Sequence, residues 1–157
     1  MSFRTMLAGL ARARVNHVVI GGVAAAVHGS AAVTIDLDIC YQPEPGNVRR
    51  LATLLARWNA YPRGVEPGLP FIMDERTMRA APVLTLVTDE GALDCLDRVA
   101  GVGEWDAVRK DSQQVAWDGL KFRVLTLEAL IAAKRAANRP KDRAAVIELE
   151  AIRALKA

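Results

Sequence analysis

Histidine and cysteine are scarce in this chain, with two of each, and that scarcity removes several kinds of chemistry. His17 and His28 stand too far apart to make a good zinc pair, and Cys40 and Cys95 lack the spacing of metal ligands. Two thiols make no disulfide framework, which suits a reducing, cytoplasmic setting. No apolar run approaches the ~20 residues that span a bilayer. The longest, around Val18–Val27, is broken by a glycine pair. The basic N-terminal stretch MSFRTMLAGLARARVNH has no clean apolar segment leading to a cleavage site, so no secretory signal is expected. Charge of one sign is not in large excess either, and a formal net charge of +3 does not announce a nucleic-acid binder. Internal repeats and low-complexity tails are absent.

What remains is an ordinary globular composition, 52% apolar and 25% charged, too apolar for disorder. At 157 residues the chain is expected to form one domain, 1–157, with a real core. The positive charge is unevenly placed. Between Lys121 and Arg143 seven Lys or Arg residues face only Glu128 and Asp142. Such a run attracts polyphosphate or an RNA backbone, although a solubilising helix surface has the same composition.

Apolar spacing predicts a helix over 3–14, with Phe3, Met6, Leu7 and Leu10 inward, then a short buried strand over 17–20. A compact alanine-rich helix over 23–28 ends at Gly29-Ser30, and a strand over 34–40 follows. After the loop YQPEPGN comes a helix over 48–58, its stripe made by Val48, Leu51, Leu54, Leu55 and Trp58. Residues 59–70, rich in proline and glycine, read as an irregular rim or lid. Strands are expected over 82–88 and 92–96, a loop with a short helix over 101–110, and a hairpin of 113–117 and 120–125 around Asp118-Gly119. Thr126 caps a helix running to about Asn138. Pro140 opens the last helix, whose inward stripe reads Ala144, Ile147, Ile152 and Leu155, with Leu149 beside it. These C-terminal helices, 127–155, are expected to pack on the core.

Asp36 and Asp38 interrupt a run that otherwise reads as core. Two apart on a strand, they share one face. Unpaired buried carboxylates are costly, and the neighbouring sequence supplies no Lys or Arg. An edge strand with one solvated face would satisfy them. So would a divalent cation, because Mg²⁺ takes carboxylate and phosphate oxygens together, and two such ions can assist both the attacking and the leaving oxygen. Gly21-Gly22 favours the second account. The pair sits where a strand enters a helix, and the free N–H groups of a helix start receive phosphate. The pattern is neither a dinucleotide-binding fingerprint nor a GxxxxGK phosphate loop.

On these residues the chain resembles a known family. GGVAAAVHGSAAVTIDLDI is similar to the glycine turn and D-h-D signature of the DNA polymerase beta-like nucleotidyltransferases. The likeness is greatest to the minimal prokaryotic branch that includes the nucleotidyltransferase toxins of toxin–antitoxin and abortive-infection systems. TDEGALDCLDRVAGV, GLKFRVLTLEALIAAKRA and NRPKDRAAVIELEAI extend it over nearly the whole chain. The resemblance implies an α+β fold with a central mixed sheet and helices packed against it. It also implies Mg²⁺, as one ion or two, and transfer of a nucleoside monophosphate from a nucleoside triphosphate to a hydroxyl on protein, RNA or a small molecule.

Carried over residue by residue, Gly21 and Gly22 form the phosphate turn, and Asp36 and Asp38 hold metal. The family uses a third carboxylate on a later strand as ligand and as an aid to deprotonating the acceptor. Asp94 is the candidate here; Asp97 takes its place if the register slips, and Asp89 sits at the strand end. His28, Ser30, Thr34, Lys134 and Lys141 are the further candidates for contacting nucleotide. The chain departs from the pattern HGxxRxTxD at Ala32, where relatives commonly carry arginine. A cation that would touch phosphate or balance the aspartates is therefore missing from its usual place.

Bland accounts stand beside these assignments. A lone histidine such as His28 is commonly a packed or capping residue, and cations late in a helix, such as Lys134, suit its dipole. Trp58 and Trp117 read as core or rim, and loop Trp105 as a pocket wall. The leading expectation is a Mg²⁺-dependent nucleotidyltransferase. The alternative is a catalytically weakened member that binds nucleotide, RNA or a partner protein, which the missing arginine favours. A toxin–antitoxin partner and a homodimer that completes the groove are compatible with either.

Overall fold

The computed structural model describes residues 3–157, so the first two residues of the expected domain lie outside it. The chain opens with α1 (Phe3–Arg12), which buries Met6, Leu7 and Leu10. A Cβ on Gly9 of this helix would stand 2.4 Å from the Trp58 indole, so glycine is a packing requirement there. Next come β1 (His17–Ile20), α2 (Gly21–Val27), β2 (Asp36–Tyr41) and α3 (Pro45–Arg57). Pro45 sits in the first turn of α3, and the Glu44 side chain accepts from the Gly46 N–H, which together fix where that helix starts.

The segment expected to be irregular contributes a two-residue strand, β3 (Tyr61–Pro62), and leads to a short helix, α4 (Glu75–Arg79). Then follow β4 (Val83–Thr88), β5 (Gly91–Leu96), the small strands β6 (Arg98–Val99) and β7 (Gly103–Glu104), and α5 (Trp105–Lys110). The hairpin β8 (Ser112–Trp117) and β9 (Leu120–Leu125) precedes α6 (Leu127–Ala137) and α7 (Pro140–Lys156). Thr126 caps α6 as expected, its side chain accepting from the Ala129 N–H.

Seven strands make one mixed sheet in the order β3-β4-β5-β2-β1-β9-β8, and β6 pairs with β7 apart from it. β1 runs antiparallel to β2 and parallel to β9, while β2 runs parallel to β5. The α+β architecture with a mixed sheet flanked by helices is therefore the one observed. Val18, Val19, Leu37, Ile39, Leu93 and Val124 bury the central strands, and α3 adds Val48, Leu51, Leu54 and Leu55. α2 lies against β1, β2 and α6, and α7 packs along α6.

α1 stops at Arg12, α3 begins at Pro45 inside the expected YQPEPGN loop, and α4 has no counterpart among the expected helices. Two further boundaries and one helix face also differ, and these bear on the site. α2 starts at Gly21, so the glycine pair lies within the first helical turn and not before it. β2 starts at Asp36, because residues 31–35 run as exposed loop, with Val33 and Ile35 facing solvent. On α7 the inward face is Asp142, Val146, Leu149 and Ile152, while Ile147 and Leu155 are exposed. An aspartate opens that buried stripe, so counting apolar residues alone rotates the helix the wrong way. No helix among the described residues is long and apolar enough to cross a membrane.

Candidate active site

Strand pairing assembles the carboxylates. In the parallel β2–β5 register Asp38 lies opposite Asp94, and Asp36 lies opposite Ala92. Alternation puts Asp36 on the face of Asp38, and the antiparallel β4–β5 register sets Thr85 beside Asp94. Three carboxylates thus share one face of the sheet. Asp97 bonds to the neighbouring Arg98, and Asp89 accepts from the Asn59 side chain in a turn, so neither joins them.

The glycine pair closes this face from the β1 side. Gly21 has φ +66°, and a Cβ there would lie 2.0 Å from Asp38 Oδ2. A Cβ on Gly22 would lie 2.5 Å from Thr34 Oγ1. Both glycines let the start of α2 approach the aspartate strand more closely than any side chain permits. No side chain caps that helix start. Thr34 itself donates to the backbone carbonyl of Asp36, which ties the loop to the strand.

Electrostatics at the face are strained. Burial, then the negative charge of Asp94 and a hydrogen bond with it, then the charge of Asp36, push the Asp38 carboxyl up to about 7. Lys134 opposes the shift. The cation closest at hand is Arg63, from the irregular segment after α3. One guanidinium nitrogen donates to Asp94 Oδ1 at 2.7 Å and to the Leu86 carbonyl at 2.9 Å. The other terminal nitrogen lies 3.6 Å from Asp36 Oδ2. Arg63 therefore bridges the two outer carboxylates and leaves Asp38 without it.

A cavity of about 340 Å³ opens beside the carboxylates, lined by Gly21, Asp38, Asp94, Lys134, Arg139 and Asp142 among others. Asp142 is fully buried and binds Arg139 at 2.6 Å and Lys134 at 3.6 Å. Burial works against its charge, but hydrogen bonds from Arg139 and the nearby Lys134 outweigh it and hold the carboxyl below the usual range. The α6–α7 junction thus presents a fixed pair of cations at one wall. Lys121 and Arg123 of the same basic run line a separate cavity with Arg109, so the run is not one continuous stripe.

The remaining candidates lie away from this cavity. His28 is buried, and its Nε2 donates to the Leu125 carbonyl at 2.7 Å, pinning the end of α2 to β9. Ser30 Oγ donates to Glu148 on α7. Lys141 is exposed on α7 and lines no part of the cavity. Among the described residues, no three His, Cys, Asp or Glu side chains are grouped so as to hold a metal ion. The three aspartates share a face, yet Arg63 sits between two of them.

No family model and no curated protein matches the chain. Solved structures do match. A candidate nucleotidyltransferase from Thermotoga maritima aligns over 92% of this chain and 88% of its own, with TM-score 0.57 and 19% identity. An antigenic nucleotidyltransferase-like protein from Paracoccidioides brasiliensis aligns over 92% of this chain and 72% of its own, with TM-score 0.51 and 15% identity. The mixed sheet flanked by helices is thus an architecture shared with these nucleotidyltransferase-like structures. At these identities the likeness is one of architecture.

Within this nucleotidyltransferase-like fold, Arg63 is the residue that sequence reasoning missed. It lies 31 positions before its partner Asp94, in a stretch without periodicity. The signal that would have found it is the vacancy at Ala32: a site short of its usual arginine invites a cation from elsewhere. Arg139 was visible only as a member of a basic run, while Asp142 at the start of the last helix reads from sequence as the partner of a nearby cation, as observed.

Proposed function

We propose that this protein is a Mg²⁺-dependent nucleotidyltransferase that moves a nucleoside monophosphate group from a nucleoside triphosphate to a hydroxyl acceptor. The observation that carries the reading is the convergence of Asp36, Asp38 and Asp94 on one face beside a cavity walled by Lys134 and Arg139. Carboxylate oxygens are the ligands a hard divalent cation takes, although as they stand the three aspartates are not grouped to hold one. Three carboxylates offer oxygen ligands, and Asp38 is still pushed up to about 7 with Arg63 in place, so the cluster lacks positive charge. Asp36, Asp38 and Asp94 would hold the ion, which supplies charge neutralisation on the phosphates when bound.

The chain's own groups account for the rest. Lys134 and Arg139 hold the triphosphate at the cavity wall, and the open helix start at Gly21-Gly22 receives phosphate oxygens. Asp94 takes the proton of the attacking hydroxyl. The hydroxyl oxygen bonds to the α-phosphorus, and the bond from that phosphorus to the pyrophosphate oxygen breaks. Lys141 and His28 are left with supporting roles at most, since one is exposed and the other is spent on Leu125.

Calorimetric titration of the purified protein with ATP, with and without Mg²⁺, tests this alongside Asp38→Asn. Binding that requires Mg²⁺ and is lost in the variant is expected. Failure of the wild type to bind any common nucleoside triphosphate would overturn it. Ala32 favours a second reading, a weakened member that binds nucleotide or RNA without transfer; Mg²⁺-dependent ATP binding with no pyrophosphate release across acceptors would select it. Kinship with the toxin branch rests on the sequence resemblance, most specifically the 21–39 stretch, and growth arrest on expression, abolished by Asp38→Asn, is its test.

A further inference from the structure

Arg63 touches both outer carboxylates, but nothing in the proposed reaction uses it there. One guanidinium nitrogen takes an Asp94 oxygen at 2.7 Å and the other stands 3.6 Å from Asp36 Oδ2 as an ion pair, in the space a divalent ion would need. A guanidinium and an ion cannot share that space, because one and two positive charges would then lie within a few ångströms of each other. The two occupants exclude one another.

The seat is also imperfect. Among the described residues Arg63 Nε has no hydrogen-bond partner although it is buried. Departure into water would satisfy that N–H, whereas staying leaves it unpaired. The side chain is already about one-third exposed, at 32%, so a path to solvent exists.

The segment carrying Arg63 is lightly attached. β3 holds the sheet edge by two residues, Tyr61 opposite Val87 and Pro62 opposite Leu86, and the Arg63 N–H adds one bond to the Thr85 carbonyl. Beyond it, Gly64 and Gly68 have positive φ and open space around them. Tyr61 donates to the Glu66 carbonyl and stacks edge-on with Phe71, so the strap is an ordered unit with a free flank.

We propose that Arg63 is a built-in counter-cation that occupies the divalent-cation position between Asp36 and Asp94, and that metal binds only as this side chain swings out with its strap. The inference rests on the metal reading above. Its consequence is a set threshold: the apparent affinity for Mg²⁺ is lowered by the fraction of molecules in which Arg63 is seated.

The test is calorimetric titration of the full chain with MgCl₂, and with MnCl₂ followed by the paramagnetic signal of free Mn²⁺. Wild type, Arg63→Ala, Arg63→Gln and Arg98→Ala are compared. A seat filled in nine molecules of ten predicts roughly tenfold tighter Mg²⁺ binding in Arg63→Ala than in wild type, with Arg98→Ala unchanged. The metal-free Arg63→Ala protein should melt earlier than wild type and recover on adding Mg²⁺. Arg63→Gln, which keeps a neutral donor, serves if Arg63→Ala folds poorly and should also bind tighter than wild type. Mg²⁺ bound by wild type but no more tightly by either Arg63 variant overturns the proposal alone. Weaker ATP binding with unchanged Mg²⁺ affinity overturns it too and makes Arg63 a phosphate contact. Absence of Mg²⁺ and Mn²⁺ binding in every variant removes the metal reading and the inference with it.

Discussion

Asp38 stands directly opposite Asp94 across the parallel β2–β5 pair, on the same face of the sheet as Asp36. Burial first, and then the charges of Asp94 and Asp36, raise Asp38 from 3.8 to about 7. An acid raised by folding holds its proton more tightly in the native state than in the unfolded one. Its contribution to stability is therefore fully present below the unfolded value and is lost as pH rises toward and past the folded one. A difference of about three pKa units is worth on the order of 4 kcal/mol. Asp38→Asn keeps the shape and removes the titration. Without metal, the variant should gain on wild type by about 2–4 kcal/mol between roughly pH 5 and pH 8 in urea unfolding. A constant gap over that range would mean that Asp38 ionises as an ordinary carboxylate.

Gly21 and Asp38 set a second expectation. Alanine at 21 must adopt φ +66° and place a methyl 2.0 Å from Asp38 Oδ2. Gly64 also has positive φ, at +81°, but nothing lies within 4 Å of its would-be Cβ. The backbone strain is common to both, about 1–2 kcal/mol, and only Gly21 adds a collision. Gly21→Ala should cost at least ~2 kcal/mol more than Gly64→Ala in urea unfolding, because overpacking adds to strain. Mg²⁺ binding should fall in Gly21→Ala alone, as Asp38 is displaced. Equal costs would show that Asp38 moves aside freely.

These two cases also show what the sequence discloses. The pair Gly21-Gly22 and the D-L-D spacing were legible because a strand's period of two fixes which residues share a face, whatever lies elsewhere. Asp94 was legible because β5 alternates cleanly between Leu93 and Cys95, both buried. Arg63 was not, since a residue in a stretch without periodicity has no face to assign, and its contact with Asp94 exists only once β3 joins the edge of β4. The α7 face failed for a related reason. Its buried stripe opens with Asp142, whose carboxylate is stabilised by cations from the α6–α7 junction and not by apolar packing.

Asp142 gives the third expectation. Its carboxylate is buried, accepts from the Arg139 N–H and guanidinium, and lies near Lys134. Asp142→Ala removes a helix cap and leaves Lys134 without its buried anion. A loss of about 3–5 kcal/mol in urea unfolding is expected, the range seen when one partner of a buried pair is deleted. Asp142→Asn keeps the cap acceptor and should lose less. A cost below about 1 kcal/mol for Asp142→Ala would mean that water replaces the carboxylate without penalty.

The loop before β2 is held from α7. Ser30 Oγ donates to Glu148 Oε1 at 2.5 Å and the Ala31 N–H donates to Oε2 at 3.0 Å. These two bonds, the Ser30 hydroxyl first, hold the Glu148 carboxyl below its ordinary range. Its favourable contribution is thus present above the usual glutamate pKa and lost as pH falls through the folded value. Glu148 lies on the outer part of the last helix, so Glu148→Ala should leave global stability nearly unchanged. Locally the effect is larger, because residues 31–35 have no strand partners and depend on this anchor and on Thr34 packing over Gly22. Amide hydrogen exchange in 31–35 should quicken by roughly tenfold in the variant, with the sheet amides of β1 and β5 unchanged. If exchange there stays at the wild-type rate, Thr34 and Gly22 alone hold the loop against the aspartate strand.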